Sequence, residues 1–225
     1  DPDEEEEDET TRIAIVGRQN VGKSTLLNRL FGSERVIANP VGGTTRDAID
    51  ANVVVNGKPY TLIDTAGIRR RGKIAKGPEK LSVHSSFRAI DRANVVLLVL
   101  DARDGVTSQD LHVAGYILER RRACAILLNK WDLVENKEKN YGKMIRELRE
   151  EFNFMPWAPI VTMSAITGQR TQKTWDLVER CAESFQREFP TRVLNEILKR
   201  ATTYLSPPMR KGRTASIKYV TQTRT

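Results

Sequence analysis

The sequence has little of several features that mark other classes of protein. Only two of its 225 residues are cysteines, and they stand far apart in no metal-binding pattern. Cys124 lies in an apolar stretch, so we expect a buried thiol rather than a disulfide. The longest apolar run, Val95 to Leu100, is far too short to cross a bilayer, and no basic-then-apolar start resembles a signal peptide. These absences predict a cytoplasmic protein with no membrane partner.

Charge is unevenly distributed along the chain. Residues 1–10 contain eight acidic residues and no basic one, which leaves 37 basic against 21 acidic residues in the remainder. The acidic segment has almost nothing to bury, so we expect a disordered linker. Residues 187–225 hold nine basic and two acidic residues. A basic surplus of this kind is typical of proteins that bind polyanions such as RNA.

Between the two ends, strand-like and helix-like segments alternate. Strands are predicted in β-branched apolar runs, and helices where apolar residues recur at helical spacing. The predicted strands are 11–16, 51–55, 60–64, 95–101, 125–129 and 159–164. The predicted helices are 24–30, one ending near Arg92, 108–121, 141–152 and 174–189. This alternation predicts an α/β fold, with a mostly parallel sheet, helices on both faces and ligands at the carboxyl ends of the strands.

The pattern changes from about Pro190. A helix is predicted over 191–204, followed by a turn rich in proline and arginine and then a strand over 215–220. This segment is too short to bury a stable core alone. We therefore expect it to be the opening of a second domain.

A phosphate-binding motif, G-x-x-x-x-G-K-S, follows the first strand and precedes the first helix. Its members are Gly17, Arg18, Gln19, Asn20, Val21, Gly22, Lys23 and Ser24. The glycines let backbone N–H groups surround phosphate oxygens at the positive end of the helix dipole. Lys23 is expected to reach the β- and γ-phosphates, Ser24 to bind Mg²⁺ and Thr25 to meet the α-phosphate. The motif indicates a nucleoside triphosphate but does not identify its base.

Two further motifs complete the predicted phosphate site. A D-x-x-G sequence at a strand end comprises Asp64, Thr65, Ala66 and Gly67. The Asp64 carboxylate can hold Mg²⁺, and the Gly67 N–H can meet the γ-phosphate because no side chain intervenes. Between the two motifs, a threonine of the loop 42–47, Thr44 or Thr45, could complete the Mg²⁺ shell and sense the γ-phosphate.

The remaining motifs predict that the base is guanine. N-K-x-D begins at Asn129, which can bridge toward the phosphate-binding loop and the base, while the Lys130 stem can lie over the purine face. The Asp132 carboxylate can accept hydrogen bonds from guanine N1–H and the 2-amino group, a donor pair that adenine lacks. Ser164 and Ala165, after the last strand, would offer backbone N–H groups to guanine O6. Four motifs in order, each at a strand end, indicate a GTP or GDP site.

One expected catalytic side chain is missing. Ile68 follows Gly67, at the position where Ras-like GTPases carry the glutamine that orients the attacking water. Isoleucine cannot hydrogen-bond to water, so hydrolysis must depend on another group. Asn20 is a candidate ligand for a monovalent cation placed where an arginine finger otherwise acts. The residues assigned to catalysis are Lys23, Asn20, Gly67 and the threonine that senses the γ-phosphate.

In combination, these motifs closely resemble the Der (EngA) family of bacterial ribosome-assembly GTPases. The resemblance also rests on the Gly-Thr-Thr-Arg-Asp loop, on Asp-Thr-Ala-Gly-Ile-Arg-Arg-Arg and on the tail Pro-Thr-Arg-Val-Leu-Asn-Glu. That family has two tandem G domains and a C-terminal KH-like domain. By this resemblance, residues 1–10 are a linker, 11–186 the second G domain and 187–225 a partial KH-like domain, with the first G domain absent.

The resemblance implies a P-loop G domain followed by a truncated α+β segment. It also implies Mg²⁺-dependent GTP hydrolysis, stimulation by K⁺ through Asn20, and a role in assembly of the large ribosomal subunit. By motif position in the family, Thr45 is the catalytic, magnesium-sensing threonine, with Thr44 as the alternative. Ribosomal RNA would be bound through the KH-like region and the basic loop 69–76. The sister families Era and TrmE fit less well, because the acidic linker and the tail match Der. Ile68 keeps one alternative open, a low-turnover GTP/GDP-binding module that gates a neighbouring RNA-binding domain.

Overall fold

The computed structural model describes residues 10–33, 36–38, 50–65, 80–205, 209–210, 213–214 and 216–223. Strands β1 to β7 are Thr11–Val16, Val36–Ala38, Ala51–Val55, Lys58–Ile63, Val95–Asp101, Ala123–Asn129 and Ile160–Thr162. Helices α1 to α6 are Lys23–Phe31, Lys80–Arg92, Ser108–Glu119, Lys137–Glu151, Lys173–Gln186 and Thr191–Tyr204. A 3-10 helix spans Trp131–Leu133, and a short hairpin pairs β8 (Met209–Arg210) with β9 (Arg213–Thr214).

Seven strands form one sheet in the order β2-β3-β4-β1-β5-β6-β7. Neighbouring strands are parallel throughout the part β4-β1-β5-β6-β7. At one edge of the sheet, the pairs β2–β3 and β3–β4 are antiparallel. At the centre of the sheet, Ile13 of β1 pairs with Leu62 of β4 on one side and with Val95 of β5 on the other. The predicted α/β fold with a mostly parallel sheet is therefore confirmed, and all carboxyl ends of the parallel strands lie at one edge.

Two hydrophobic clusters cover the two faces of the sheet. One face packs against α1 and α5, and the other against α2, α3 and α4. All seven residues of β5 are buried, and its side chains alternate between the clusters, with Leu97 in the first and Leu98 in the second. A strand buried on both faces is expected to be continuously apolar, as β5 is. This packing holds the strand ends, and the loops that follow them, in fixed positions.

The chain divides into two compact units, Asp1–Phe185 and Gln186–Thr225. In the second unit, the strand predicted over 215–220 is wrong, because residues 216–220 belong to no sheet. Instead, Nδ2 of Asn195 in α6 donates to the carbonyl oxygen of Val220 at 2.9 Å, and the Val220 N–H donates to Oδ1 of Asn195 at 3.1 Å. A strand would use both of these backbone groups to pair with its neighbour. No helix in the described part of the chain is both long and apolar enough to cross a membrane.

Both cysteines are free and buried, as expected for Cys124. Burial raises the pKa of both thiols, and that of Cys181 rises from 9.0 to about 11.

We expect the two thiols of the native chain to react with a disulfide reagent at pH 8 about a hundredfold more slowly than those of the unfolded chain, because the thiolate is the reactive form. Counting thiols with Ellman's reagent, with and without denaturant, checks this. Rapid native reaction of one thiol would contradict it.

Candidate nucleotide-binding site

The loop after β1 approaches other backbone and side chains so closely that two positions require glycine. Gly17 has φ 142°, and a Cβ there would lie 2.3 Å from the carbonyl oxygen of Val99 in β5. Gly22 has φ 99°, and a Cβ there would lie 2.3 Å from Nδ2 of Asn129. Both positive φ values and both contacts exclude a larger residue. The loop is therefore packed tightly between β1, β5 and the loop after β6.

The end of this loop concentrates positive charge. The Lys23 ammonium folds back over the loop and donates to the carbonyl oxygens of Gly17, at 2.7 Å, and of Arg18. Helix α1 begins at Lys23 with Gly22 as its N-cap, which supplies no side chain to cap the first turn, and no acidic residue lies in that turn. The first N–H groups of a helix need acceptors from outside it. This arrangement suits an anion such as a phosphate.

Asp64 follows β4, the strand next to β1 in the sheet. Its backbone is held in a left-handed conformation with φ 55°, and its N–H donates to Oδ1 of Asp50 at 3.1 Å. Both carboxylate oxygens of Asp50 in turn accept from the Arg92 guanidinium of α2. Sequence reasoning missed Asp50 and Arg92, which fix the start of the D-x-x-G motif.

Ser24 and Asp64 supply a hydroxyl and a carboxylate oxygen at the same edge of the sheet. Oxygen donors of this type are the ligands that Mg²⁺ prefers, with phosphate oxygens and waters completing its shell. Among the described residues, no group of three or more His, Cys, Asp and Glu side chains could hold a metal ion alone. The donor set therefore fits a cation bound together with a phosphate.

Asn129 joins three parts of the site. Its side chain is almost completely buried, and Nδ2 donates to the carbonyl oxygen of Val21 in the phosphate-binding loop at 2.8 Å. Oδ1 accepts from the backbone N–H of Ala165 at 2.9 Å. The backbone carbonyl of Asn129 accepts from Ala102 at 2.8 Å. One buried amide thus locks the phosphate loop, the N-K-x-D loop and the Ser164–Ala165 loop together.

The next three residues include Asp132, whose carboxylate is predicted to contact the base. Lys130 has φ 59°, and its Nζ lies 2.6 Å from Oδ2 of Asp101. Trp131 is buried, and its N–H donates to the carbonyl of Met163 at 3.0 Å. Oδ1 of Asp132 is buried and has no hydrogen-bond partner among the described residues. A buried carboxylate oxygen left unpaired is costly, so this atom is suited to an external donor such as a purine N–H.

The loop after β7 differs in detail from the expected contact. The N–H of Ser164 donates to the carbonyl of Gln169 at 3.1 Å, and that of Ala165 to Asn129. The Arg29 side chain of α1 donates to the carbonyls of Ala165 and Ile166 and so holds the loop from the other side. Both N–H groups predicted to meet guanine O6 are thus hydrogen-bonded within the protein, whereas the Ile166 N–H has no backbone acceptor in the described part of the chain.

The other positions of the phosphate loop differ in exposure. Gln19, Asn20 and Thr25 are exposed, and Asn20 has a left-handed backbone with φ 64°. Arg18 turns its guanidinium toward Asp110 of α3, with Nε 3.0 Å from Oδ2. The Arg18 side chain therefore binds another part of the protein, and its backbone N–H is the group that could meet a phosphate.

Several predicted site residues lie outside the described residues. They are Thr44, Thr45, Ala66, Gly67 and Ile68, together with the basic loop 69–76 and most of the acidic segment. Thr65, at the edge of that gap, is buried. The roles assigned to the residues outside stay predictions.

The chain matches two family models. The family described as 50S ribosome-binding GTPase matches residues 12–130, and the elongation factor Tu GTP binding domain matches residues 81–198. Together these matches cover every described element of the site.

Curated relatives with the name GTPase Der are similar over nearly the whole chain. The protein from Syntrophotalea carbinolica is 51% identical over 215 residues, which are 96% of this chain and 49% of the relative. The protein from Trichlorobacter lovleyi is 49% identical over 216 residues, which are 96% of this chain and 48% of the relative. The chain spans about half the length of the curated relatives it matches.

Solved structures of GTP-binding proteins share the fold. Era in complex with MgGDPNP and nucleotides 1506–1542 of 16S ribosomal RNA has a TM-score of 0.57 at 25% identity, covering 80% of this chain and 59% of Era. Elongation factor SelB from Methanococcus maripaludis, in complex with the GTP analogue GppNHp, also has a TM-score of 0.57. This structural match covers 81% of this chain and 35% of SelB at 18% identity, and it shows a common fold alone.

Proposed function

The chain belongs to the 50S ribosome-binding GTPase family, and on this premise we propose that it binds GTP and GDP and hydrolyses GTP as a switch in assembly of the large ribosomal subunit. The observation that carries the proposal is the arrangement of Asn129 and Asp132 within one loop. Asn129 joins the phosphate loop to the loop after β7, while the adjacent Asp132 presents a buried carboxylate oxygen without a partner. Guanine supplies the two donors that such a carboxylate needs.

The proposed phosphate contacts come from the phosphate loop and the first turn of α1. The Lys23 ammonium would exchange a loop carbonyl for the β- and γ-phosphates, because a charged oxygen is the stronger acceptor. The first-turn N–H groups of α1, including that of Thr25, would meet the remaining phosphate oxygens. Ser24 and Asp64, with Thr45, would hold Mg²⁺, which when bound neutralises charge on the phosphates. At the base, the Ile166 N–H would meet guanine O6 in place of the predicted Ser164 and Ala165 N–H groups, which donate to Gln169 and Asn129.

The catalytic part of the proposal assigns the missing glutamine's role to other groups. Ile68 cannot orient water, so we assign stabilisation of the transition state to Lys23, to the Gly67 N–H and to a K⁺ ion bound by Asn20. Asn20 is exposed in the loop, and its side-chain oxygen is a suitable ligand for a hard cation. The alternative function, a low-turnover module that gates a neighbour, follows if this assignment fails.

Single-turnover hydrolysis in KCl and in NaCl at equal ionic strength tests the proposal. We expect roughly tenfold faster formation of GDP in KCl, because one additional cation at the developing charge stabilises the transition state. Asn20→Ala should hydrolyse GTP at one slow rate in both salts while it still binds GDP. Lys58→Gln, which removes an exposed cation paired with Glu179 elsewhere, serves as the control and should keep the KCl effect.

Two outcomes separate the candidate functions. If neither salt raises hydrolysis above the Asn20→Ala background, the low-turnover module is the better description. If wild-type protein binds neither GTP nor GDP, both descriptions fail.

The proposed partners rest on the second unit and on the relatives. We assign residues 11–186 to a G domain and 187–225 to the start of a KH-like RNA-binding domain, preceded by the linker 1–10. The second part carries nine basic and two acidic residues, a balance that suits ribosomal RNA. The basic loop 69–76, next to the γ-phosphate motif, would present charge to RNA according to the nucleotide state.

A further inference from the structure

Two buried carboxylates lie next to the site but belong to none of its motifs. Asp101 is the last residue of β5, and Asp110 lies in the first turn of α3. Both residues are 1% exposed. We propose that they act as positioning residues, forming a carboxylate clamp that holds the P-loop arginine and the base-motif lysine in their nucleotide-binding positions. This inference rests on the proposed nucleotide-binding function.

Asp101 holds the base side of the site. Oδ2 lies 2.6 Å from Nζ of Lys130, and Oδ1 accepts from the N–H of Arg103 at 2.9 Å. Burial alone would raise the pKa of Asp101, but the hydrogen bonds from Lys130 and from the Arg103 backbone outweigh it, and the net pKa is lowered. Asp101 is therefore a charged anchor for Lys130. Because Nζ is fixed at the end of β5, the alkyl stem has a defined path beside Asp132.

Asp110 holds the phosphate side. Its Oδ2 lies 3.0 Å from Nε of Arg18, in an ion pair whose geometry is not that of a hydrogen bond. The same oxygen accepts from the N–H of Thr107 at 3.0 Å and from its hydroxyl at 2.8 Å, which completes a capping box on α3. A second contact joins Arg18 Nη2 to the carbonyl of Gly105, at 3.5 Å. The loop that must surround phosphates is thus fastened to the first turn of α3, a helix with one buried face.

The clamp differs from an ordinary structural ion pair because both of its cations, Arg18 and Lys130, are members of predicted nucleotide-binding motifs. Removal of one member of a buried ion pair leaves the other charge uncompensated, which is strongly destabilising, so each aspartate favours the observed position of its cation. Arg18 and Lys130 belong to different nucleotide motifs, yet their anchors flank one short connection, residues 101–110. If both motifs are held in place before the nucleotide binds, fewer side chains and loops have to become ordered on binding. Loss of either anchor should therefore loosen bound nucleotide.

The dissociation rate of the fluorescent nucleotide mant-GDP, measured by stopped flow, tests the clamp. We expect Asp101→Asn and Arg18→Gln each to raise this rate about tenfold, the size of effect seen for groups that orient ligand-binding residues. The double variant should show about a hundredfold increase, because the two contacts lie at separate ends. Arg18→Lys, which keeps the charge, should recover part of the loss.

Two control variants separate positioning from general stability. Val113→Ala removes buried side-chain volume from α3 without touching either pair, so it should lower the thermal midpoint and leave the dissociation rate unchanged. Lys58→Gln removes an exposed cation remote from the clamp and should change neither quantity. The proposal is overturned if wild-type protein binds mant-GDP but the clamp variants release it at the wild-type rate. It is also overturned if Val113→Ala accelerates release equally. Absence of wild-type binding would instead refute the proposed function, and the clamp with it.

Discussion

Asp132→Asn should reverse the base preference of the site from guanine toward xanthine nucleotides. The buried carboxylate accepts where guanine donates, whereas the amide of asparagine can donate to the 2-oxo group of xanthine. Exchange of two hydrogen bonds to a charged group, each worth about 1.5–3 kcal/mol, predicts a shift in the GTP-to-XTP affinity ratio of roughly 10²- to 10⁴-fold. Competition of unlabelled GTP and XTP against mant-GDP, or mant-XDP for the variant, measures this ratio.

Asp91→Asn is the matched control for this prediction. It makes the same chemical change on α2, where the carboxylate is half exposed and pairs with Arg120 and Tyr116. It should leave the ratio unchanged. An Asp132→Asn protein that retains the wild-type preference for GTP would show that this carboxylate does not read the base.

Asn129→Ala should weaken both nucleotide binding and the folded state. The substitution leaves the buried carbonyl of Val21 and the N–H of Ala165 without partners, which costs about 2–5 kcal/mol in the free energy of unfolding. It also disconnects the phosphate loop from the loop after β7, so release of mant-GDP should accelerate about a hundredfold or more. Urea unfolding without nucleotide and stopped-flow dissociation measure the two effects separately.

Asn94→Ala provides the comparison. Asn94 stands before β5, at the opposite end of the strand, and its Oδ1 accepts from the N–H of Arg12 at 2.8 Å. The control therefore loses one side-chain amide contact far from the site and should release mant-GDP at the wild-type rate. Equal release rates for the two variants would contradict the joining role of Asn129.

The fold was predictable where a segment carries a strong local pattern of apolar residues. Strand β5 and helix α6 have the predicted bounds, Val95–Asp101 and Thr191–Tyr204, because a continuous apolar run and a regular apolar stripe are strong local signals. Helix α4 begins at Lys137, four residues before the predicted start, since its first turn is entirely polar and carries no periodicity. Strand β2, Val36–Ala38, was missed because three residues are too few to form a pattern.

In the candidate site too, some residues were predictable from the sequence and others were not. Motif residues were predictable because each motif is contiguous and its chemistry is fixed by the phosphate or base. The groups that hold those motifs were not, because Asp50, Arg29, Asp101 and Asp110 are ordinary residue types on segments remote in sequence. Their pairing depends on tertiary contacts that place β4, β5 and α3 beside the loops. For Arg18, the motif indicated a phosphate contact, whereas the side chain binds Asp110.

The central position of β1 has a consequence for the order of folding during synthesis. Ile13 pairs with Leu62 and with Val95, so β1 needs two partner strands that are synthesised after it. The phosphate loop reaches its final shape only after β5 arrives, because Gly17 packs against Val99. Contacts this distant in sequence form slowly and expose an unpaired apolar strand meanwhile. The phosphate loop is therefore translated well before it can adopt its ligand-binding shape.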